Sequence, residues 1–242
     1  MDDFVMPLPL PLDVVSLTMS LVNIESLTGA EGTLADAIEQ ALGTQPHLAV
    51  ERFADTIVAR TNLGFAERVL VVGHLDTVPE DGNLLAYVEM GKLFGLGACD
   101  MKGGLAVMLK SATLPAYGRD VTLLFYDGEE ASEPSGIERL SEQRPDLLQA
   151  DLAIVMEPTD ARVEVTTDSP LVAALRRTTA SSDVELVETP VARKTAAHLA
   201  ALGIPALTFG PGDPVLAHTR EEYVPTAQLT ECEFWLRLLL KD

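Results

Sequence analysis

The sequence predicts an α/β domain of three layers, a mostly parallel mixed sheet covered by helices on both faces. Short apolar runs at residues 69–72, 121–126, 152–156 and 206–209 lack the polar alternation of a half-exposed strand, as strands buried on both sides should. Segments with apolar residues at helical spacing stand between them. Each buried run also ends abruptly in glycine, histidine or carboxylates, which places the polar chemistry at one rim of the sheet.

Along the chain, a Pro-rich start leads into two helices. The first, 12–27, carries Val14, Val15, Leu21 and Val22 at helical spacing; the second, 34–42, has Thr33 as its cap and Gly43 as its stop. β-type runs at 48–53 and 56–59 precede the first buried strand. Later helices are expected at 101–114, 136–143, 171–178, 194–202 and 226–240, and the acidic stretch 180–190 holds a further strand at 184–187. No repeat, low-complexity tract or linker interrupts this pattern, so residues 1–242 read as one domain.

Composition narrows the function. With 37 acidic and 17 basic side chains, a formal charge of −20, most of the surface repels a phosphate backbone or an anionic bilayer, which excludes nucleic acid and membrane as partners. Cys99 and Cys232 cannot build a disulfide framework, and the opening MDDFVMPLPLPLDVV has acids where a signal peptide needs basic residues. No apolar run approaches the ~20 residues that span a bilayer. The expectation is a cytoplasmic protein.

The strand ends hold the informative residues: Gly73-His74-Leu75-Asp76, Asp127-Gly128-Glu129-Glu130, Glu157-Pro158-Thr159, and Gly210-Pro211-Gly212-Asp213 with His218 beyond. Ligands of open α/β sheets bind at the carboxyl ends of the strands, so these segments converge on one rim, joined by Asp100 after the turn Gly95–Cys99. Singly, each has an ordinary reading: a hydrogen-bonded histidine, a solvated acidic turn, an N-cap. Together they set two histidines among at least five carboxylates, which repel one another unless cations compensate them. Imidazoles with carboxylates and no pair of thiolates suit Zn²⁺ or a similar first-row ion.

These segments, in this order, resemble the di-zinc amidohydrolases that include carboxypeptidase G, aminoacylase and acetylornithine deacetylase. Within that family FYDGEEASEPSGIERL, ADLAIVMEPTD and ALGIPALTFGPGDPVLAHTREEYVP are most similar to bacterial, actinobacterial-type succinyl-diaminopimelate desuccinylases. The resemblance implies a zinc-peptidase-like catalytic domain with two divalent ions, Zn²⁺ or Co²⁺. His74 would bind one ion and His218 the other, Asp100 would bridge them, and Glu130 and Glu157 would complete one site each. Asp76 would accept a hydrogen bond from His74. Glu129 would be the general base, and the peptide bond Asp100-Met101 is often cis in such proteins. The implied reaction is hydrolysis of a small N-acyl amino acid amide, N-succinyl-LL-2,6-diaminopimelate giving succinate and LL-2,6-diaminopimelate, in lysine biosynthesis.

Two departures stand out. The family's dimer-forming lid, which also supplies an oxyanion-stabilising histidine, is inserted after the Glu-Pro-Thr strand; here residues 162–167 run directly into Asp168-Ser169-Pro170-Leu171-Val172, so the lid is missing at about 166–170. Relatives also have Thr-Asp-Ala-Arg-like residues where this chain has Lys194-Thr195-Ala196-Ala197-His198. Gly210 and Gly212 remain as backbone contacts for a substrate. A monomer with an open site follows. The alternatives are a metal-binding catalytic domain with little turnover, or a related deacylase or aminopeptidase.

Overall fold

The computed structural model describes residues 8–131, 134–165, 185–189 and 193–241. Its strands are β1 (Ala49–Phe53), β2 (Thr56–Arg60), β3 (Arg68–His74), β4 (Tyr87–Glu89), β5 (Lys92–Phe94), β6 (Asp120–Tyr126), β7 (Leu152–Val155), β8 (Val163–Val165), β9 (Leu186–Glu188), β10 (Ala206–Thr208) and β11 (Tyr223–Pro225). The helices are α1 (Val14–Val22), α2 (Gly32–Gly43), α3 (Gly103–Ser111), α4 (Gly136–Gln143), α5 (Lys194–Ala201) and α6 (Thr226–Lys241).

Eight strands form a mixed sheet in the order β1-β2-β6-β3-β7-β10-β8-β9, and a small second sheet has the order β11-β5-β4. The centre is parallel: β3 pairs with β6 and β7, and β7 with β10. The first strands and the β10–β8 pair run antiparallel. Side chains of β3 alternate between two cores. Val69 and Val71 pack with Leu17, Leu34, Ile38, Leu105 and Leu229 from α1, α2, α3 and α6. Leu70 and Val72 pack with Ile137, Leu140 and Leu199 from α4 and α5. Both faces are covered, which is why the strand reads as one apolar run, and each buried aliphatic side chain contributes about 1.5–3 kcal/mol. From β3 the chain moves to β6 on one side and then to β7 on the other, so the loops leaving these strands part and open a crevice.

Several boundaries differ from the sequence expectation for local reasons. Asp13 caps α1 by accepting from Ser16 N at 2.9 Å. That helix stops at Val22 because residues 26–28 run beside the end of β3, with Ser26 Oγ donating to Leu75 O at 2.8 Å and Leu27 bridging Thr77. Thr33 lies inside α2 rather than capping it. Ser135 and Glu138 form the capping box that starts α4. The expected helix 101–114 divides into an irregular turn, Ala98–Lys102, and α3. The expected strand 184–187 is β9, one to two residues later. Strands β4, β5, β8 and β11, three residues each, are additions. The expected helix 171–178 and residues 166–170, where the lid was expected to be missing, lie outside the described residues. Among those described, no helix is long and apolar enough to cross a membrane.

Candidate metal centre

β3 delivers His74 with its ring buried between two acceptors. Nδ1 lies 3.0 Å from the backbone oxygen of Asp76, which can only accept, so Nδ1 carries the proton. The Nε2 lone pair then faces Asp100 Oδ1 at 3.0 Å and Glu157 Oε1 at 3.8 Å. On the other side of Asp100, His218 Nε2 lies 3.4 Å from Oδ2 and 2.7 Å from Glu130 Oε1. Each oxygen of Asp100 therefore serves a different imidazole. The Asp100–Met101 peptide bond is cis.

Three groups of these side chains hold potential ligand atoms within 4.8 Å of one another: His74 with Asp100 and Glu157, Asp100 with Glu130 and His218, and His74 with Glu129 and Glu130. The first two share Asp100 and set Glu157 with His74 and Glu130 with His218, a division that the family resemblance left open. The donor set is chemically suited to a borderline cation, imidazole nitrogen and carboxylate oxygen. Lone pairs facing carboxylates in a buried pocket must be compensated either by protons or by metal. Burial alone would lower the His74 pKa, but its bonds to Asp100 and Asp76 and the charge of Glu157 raise it well above the usual histidine value. The bond to Asp100, against burial, lifts His218 to about 9. Burial and the charge of Asp100 push the Glu157 carboxyl upward.

Asp76 holds His74 through its backbone oxygen rather than through the carboxylate that the sequence suggested, and the carboxylate is engaged elsewhere. Its Oδ1 is 3.5 Å from His74 Nδ1, while Oδ1 accepts Glu129 N and Oδ2 accepts Glu130 N, both at 2.9 Å, and Thr28 Oγ1 donates to Oδ2 at 3.0 Å. It thus clamps the backbone of both glutamates. Against its burial, His74 and the two N–H groups hold the Asp76 carboxyl at about 2. Glu129 itself is held above the usual carboxylate range, chiefly by burial, and Lys194 Nζ stands 3.6 Å from its Oε1.

Lys194 and Thr28 were not anticipated at the site. A lysine at the first residue of α5 opposes the helix dipole, and that mismatch was the available sign that it answers an acidic partner. Thr28 gave no signal, since its role depends on the return of residues 26–28 to β3. At Gly210 and Gly212, expected as backbone contacts for a substrate, Gly210 N donates to Thr159 Oγ1 at 3.1 Å and Gly212 N to Gln228 Oε1 at 2.8 Å. The other histidines stay apart. His47 Nε2 lies 3.1 Å from Ala112 O, and among the described residues His198 belongs to none of the metal-capable groups.

The Gly103-Gly104 pair explains itself by close approach. A Cβ on Gly103 would lie 2.8 Å from Ala98 O, and one on Gly104 would lie 2.3 Å from Met156 O, next to Glu157. Side chains there would force the Asp100 turn and the end of β7 apart.

Residues 70–242 match peptidase family M20/M25/M40. The chain is similar to the succinyl-diaminopimelate desuccinylase of Corynebacterium glutamicum, with 42% identity over 159 residues, 63% of this chain and 43% of that protein. A Mycobacterium tuberculosis (strain CDC 1551 / Oshkosh) protein named as a candidate succinyl-diaminopimelate desuccinylase DapE is 44% identical over 155 residues, 63% of this chain and 44% of its own. The matches thus span less than half the length of these relatives. Aminopeptidase PepT from Bacillus cereus ATCC 10987 superposes with a TM-score of 0.78 at 14% identity, covering 94% of this chain and 97% of that one, and shares the fold.

Proposed function

The chain belongs to peptidase family M20/M25/M40, and from that premise we propose that it is a catalytic domain that hydrolyses the amide bond of a small N-acyl amino acid with two divalent metal ions. His74, Asp100 and Glu157 would hold one ion; Asp100, Glu130 and His218 the other. The observation that carries the reading is Asp100 lying between the two histidines with one oxygen toward each.

Bound Zn²⁺ or Co²⁺ would supply Lewis acidity, lowering the pKa of water and polarising the amide carbonyl. Glu129 takes the proton of the attacking water and returns it to the departing amine, and its raised pKa brings it closer to the pH at which a general base works. Asp76 fixes the backbone of Glu129 and Glu130, so base and ligand keep a constant separation. The Nδ1–H of His74, held by the Asp76 carbonyl, keeps Nε2 turned into the site.

The names of the Corynebacterium and Mycobacterium relatives support N-succinyl-LL-2,6-diaminopimelate as the substrate. In this reading residues 1–242 are one catalytic domain without the lid, mainly monomeric. A second reading, a metal-binding domain of low turnover, is favoured by α5: Thr195 there is buried against Tyr126 Oη at 2.7 Å, and the acid and arginine that the family resemblance implies for this stretch are absent from Lys194-Thr195-Ala196-Ala197-His198. Losing an oxyanion donor with the lid would cost about 10²–10³ in rate. The test is turnover of N-succinyl-LL-2,6-diaminopimelate and a panel of other N-acyl amino acids with Zn²⁺ or Co²⁺. Hydrolysis that Glu129→Gln removes supports the first reading; two bound ions without turnover support the second.

A further inference from the structure

We propose that Glu222 is a positioning residue for the two-metal site, its buried carboxylate fixing the backbone of Asp100 relative to His218. The proposal rests on the two-metal reading above and concerns how its ligands are held. Glu222 is 2% exposed. Its Oε2 accepts Gly97 N at 3.0 Å, and its Oε1 accepts Cys99 N at 2.9 Å and Asp100 N at 3.0 Å. These donors belong to the turn that presents Asp100, and the first N–H groups of such a turn have no partners within it. Unmet and buried, each would cost about 1–3 kcal/mol.

The same residue stands four positions after His218. Its backbone is held in place on both sides, Glu222 N donating to Thr219 O at 3.2 Å and Gly95 N donating to Glu222 O at 3.3 Å. One side chain therefore joins the segment carrying His218 to the segment carrying Asp100, two ligands of the same proposed site. The geometry requires a carboxylate: two oxygens accept three N–H groups, whereas an amide in the same place would turn an NH₂ toward one of these donors. Lys102, itself buried, donates to Ile24 O at 2.6 Å; burial draws its pKa down to about 7 against the charge of Glu222. Glu221 beside it is exposed, so the pair divides into one surface acid and one internal acid.

The test is Co²⁺ titration of the full chain, followed by calorimetry and visible absorption, for the parent, Glu222→Gln and Glu222→Asp. Loss of a residue that supports metal ligands typically weakens metal affinity by about 10–100-fold. Glu222→Gln should weaken the ion shared by Glu130 and His218 by about tenfold or more and alter its absorption band. The ion at His74 and Glu157 should change less, and Glu222→Asp should recover part of the loss. Unchanged affinities for both ions would overturn the proposal, and a fall in Tm alone with both ions bound as in the parent would be the mark of a merely structural role. Should Glu222→Gln fail to fold, the same comparison of the two ions is made on Glu222→Asp. If the parent takes up no Co²⁺ at all, the two-metal reading fails first and this inference falls with it.

Discussion

Gly104→Ala sets two effects of opposite sign against each other. Alanine is the better helix former, and relief of glycine's backbone entropy would stabilise α3 by about 0.5–1 kcal/mol. The added Cβ, however, would lie 2.3 Å from the backbone oxygen of Met156, about 1 Å inside the 3.4 Å at which ordinary contact begins, and 3.1 Å from Met156 Cβ and Met101 Cε. The obstruction is backbone and cannot rotate away. Overpacking of this kind costs about 1–3 kcal/mol, so the clash wins and the variant should be destabilised by about 1–2 kcal/mol. For a chain of this size that is about 2–4 °C in Tm per kcal/mol. Relief of the clash must move the Asp100 turn away from Glu157 by a large fraction of an ångström. Displacements near 1 Å can cost about 10²-fold in turnover. Thermal unfolding and Co²⁺ affinity measure the two consequences separately. A Gly104→Ala protein as stable as the parent, with unchanged metal affinity, would refute the argument that the glycine is there for close approach.

Glu129→Gln should keep both metals and lose at least ~10²-fold in hydrolysis, whereas Glu130→Gln should lose affinity for one ion; metal analysis beside an activity assay separates them. Lys194→Met removes a cation 3.6 Å from Glu129 that holds its pKa down. Because the base works when deprotonated, the acid limb of kcat/KM should move to higher pH; a limb unmoved or moved to lower pH would contradict this. Asp120 accepts from Thr61 Oγ1, Leu63 N, Gly64 N and Phe65 N at 2.8–3.1 Å. Against burial, these bonds hold its pKa below 3.8. Its contribution to stability is therefore present above that value and lost as pH falls through the lowered folded pKa. Asp120→Asn should cost about 1–3 kcal/mol near neutral pH and flatten that acid limb, read from Tm between pH 2 and 7.

The parallel centre of the sheet was legible because β3, β6 and β7 are buried on both faces and their middle residues are nearly all apolar. The polar residues at their ends followed from that, since strand ends in such a sheet share a rim. What stayed hidden depends on contacts far apart in sequence. Asp76 reads as a partner of His74 two residues away, and nothing in the chain shows its carboxylate gripping two backbone N–H groups 53 and 54 residues later. Glu222 gave no signal in the sequence, because its burial beside the exposed Glu221 is set by the Gly95–Asp100 turn. Three-residue strands such as β4 and β11 are too short to show a period, and they exist through pairing with β5.

The number of Co²⁺ ions bound per chain by metal-free protein, measured by equilibrium dialysis, tests the central claim most directly. The arrangement of His74, Glu157, Glu130 and His218 around Asp100 predicts two ions per chain. One ion or none, in a chain whose circular dichroism shows it folded, would contradict the sharing of Asp100 and the reaction built on it.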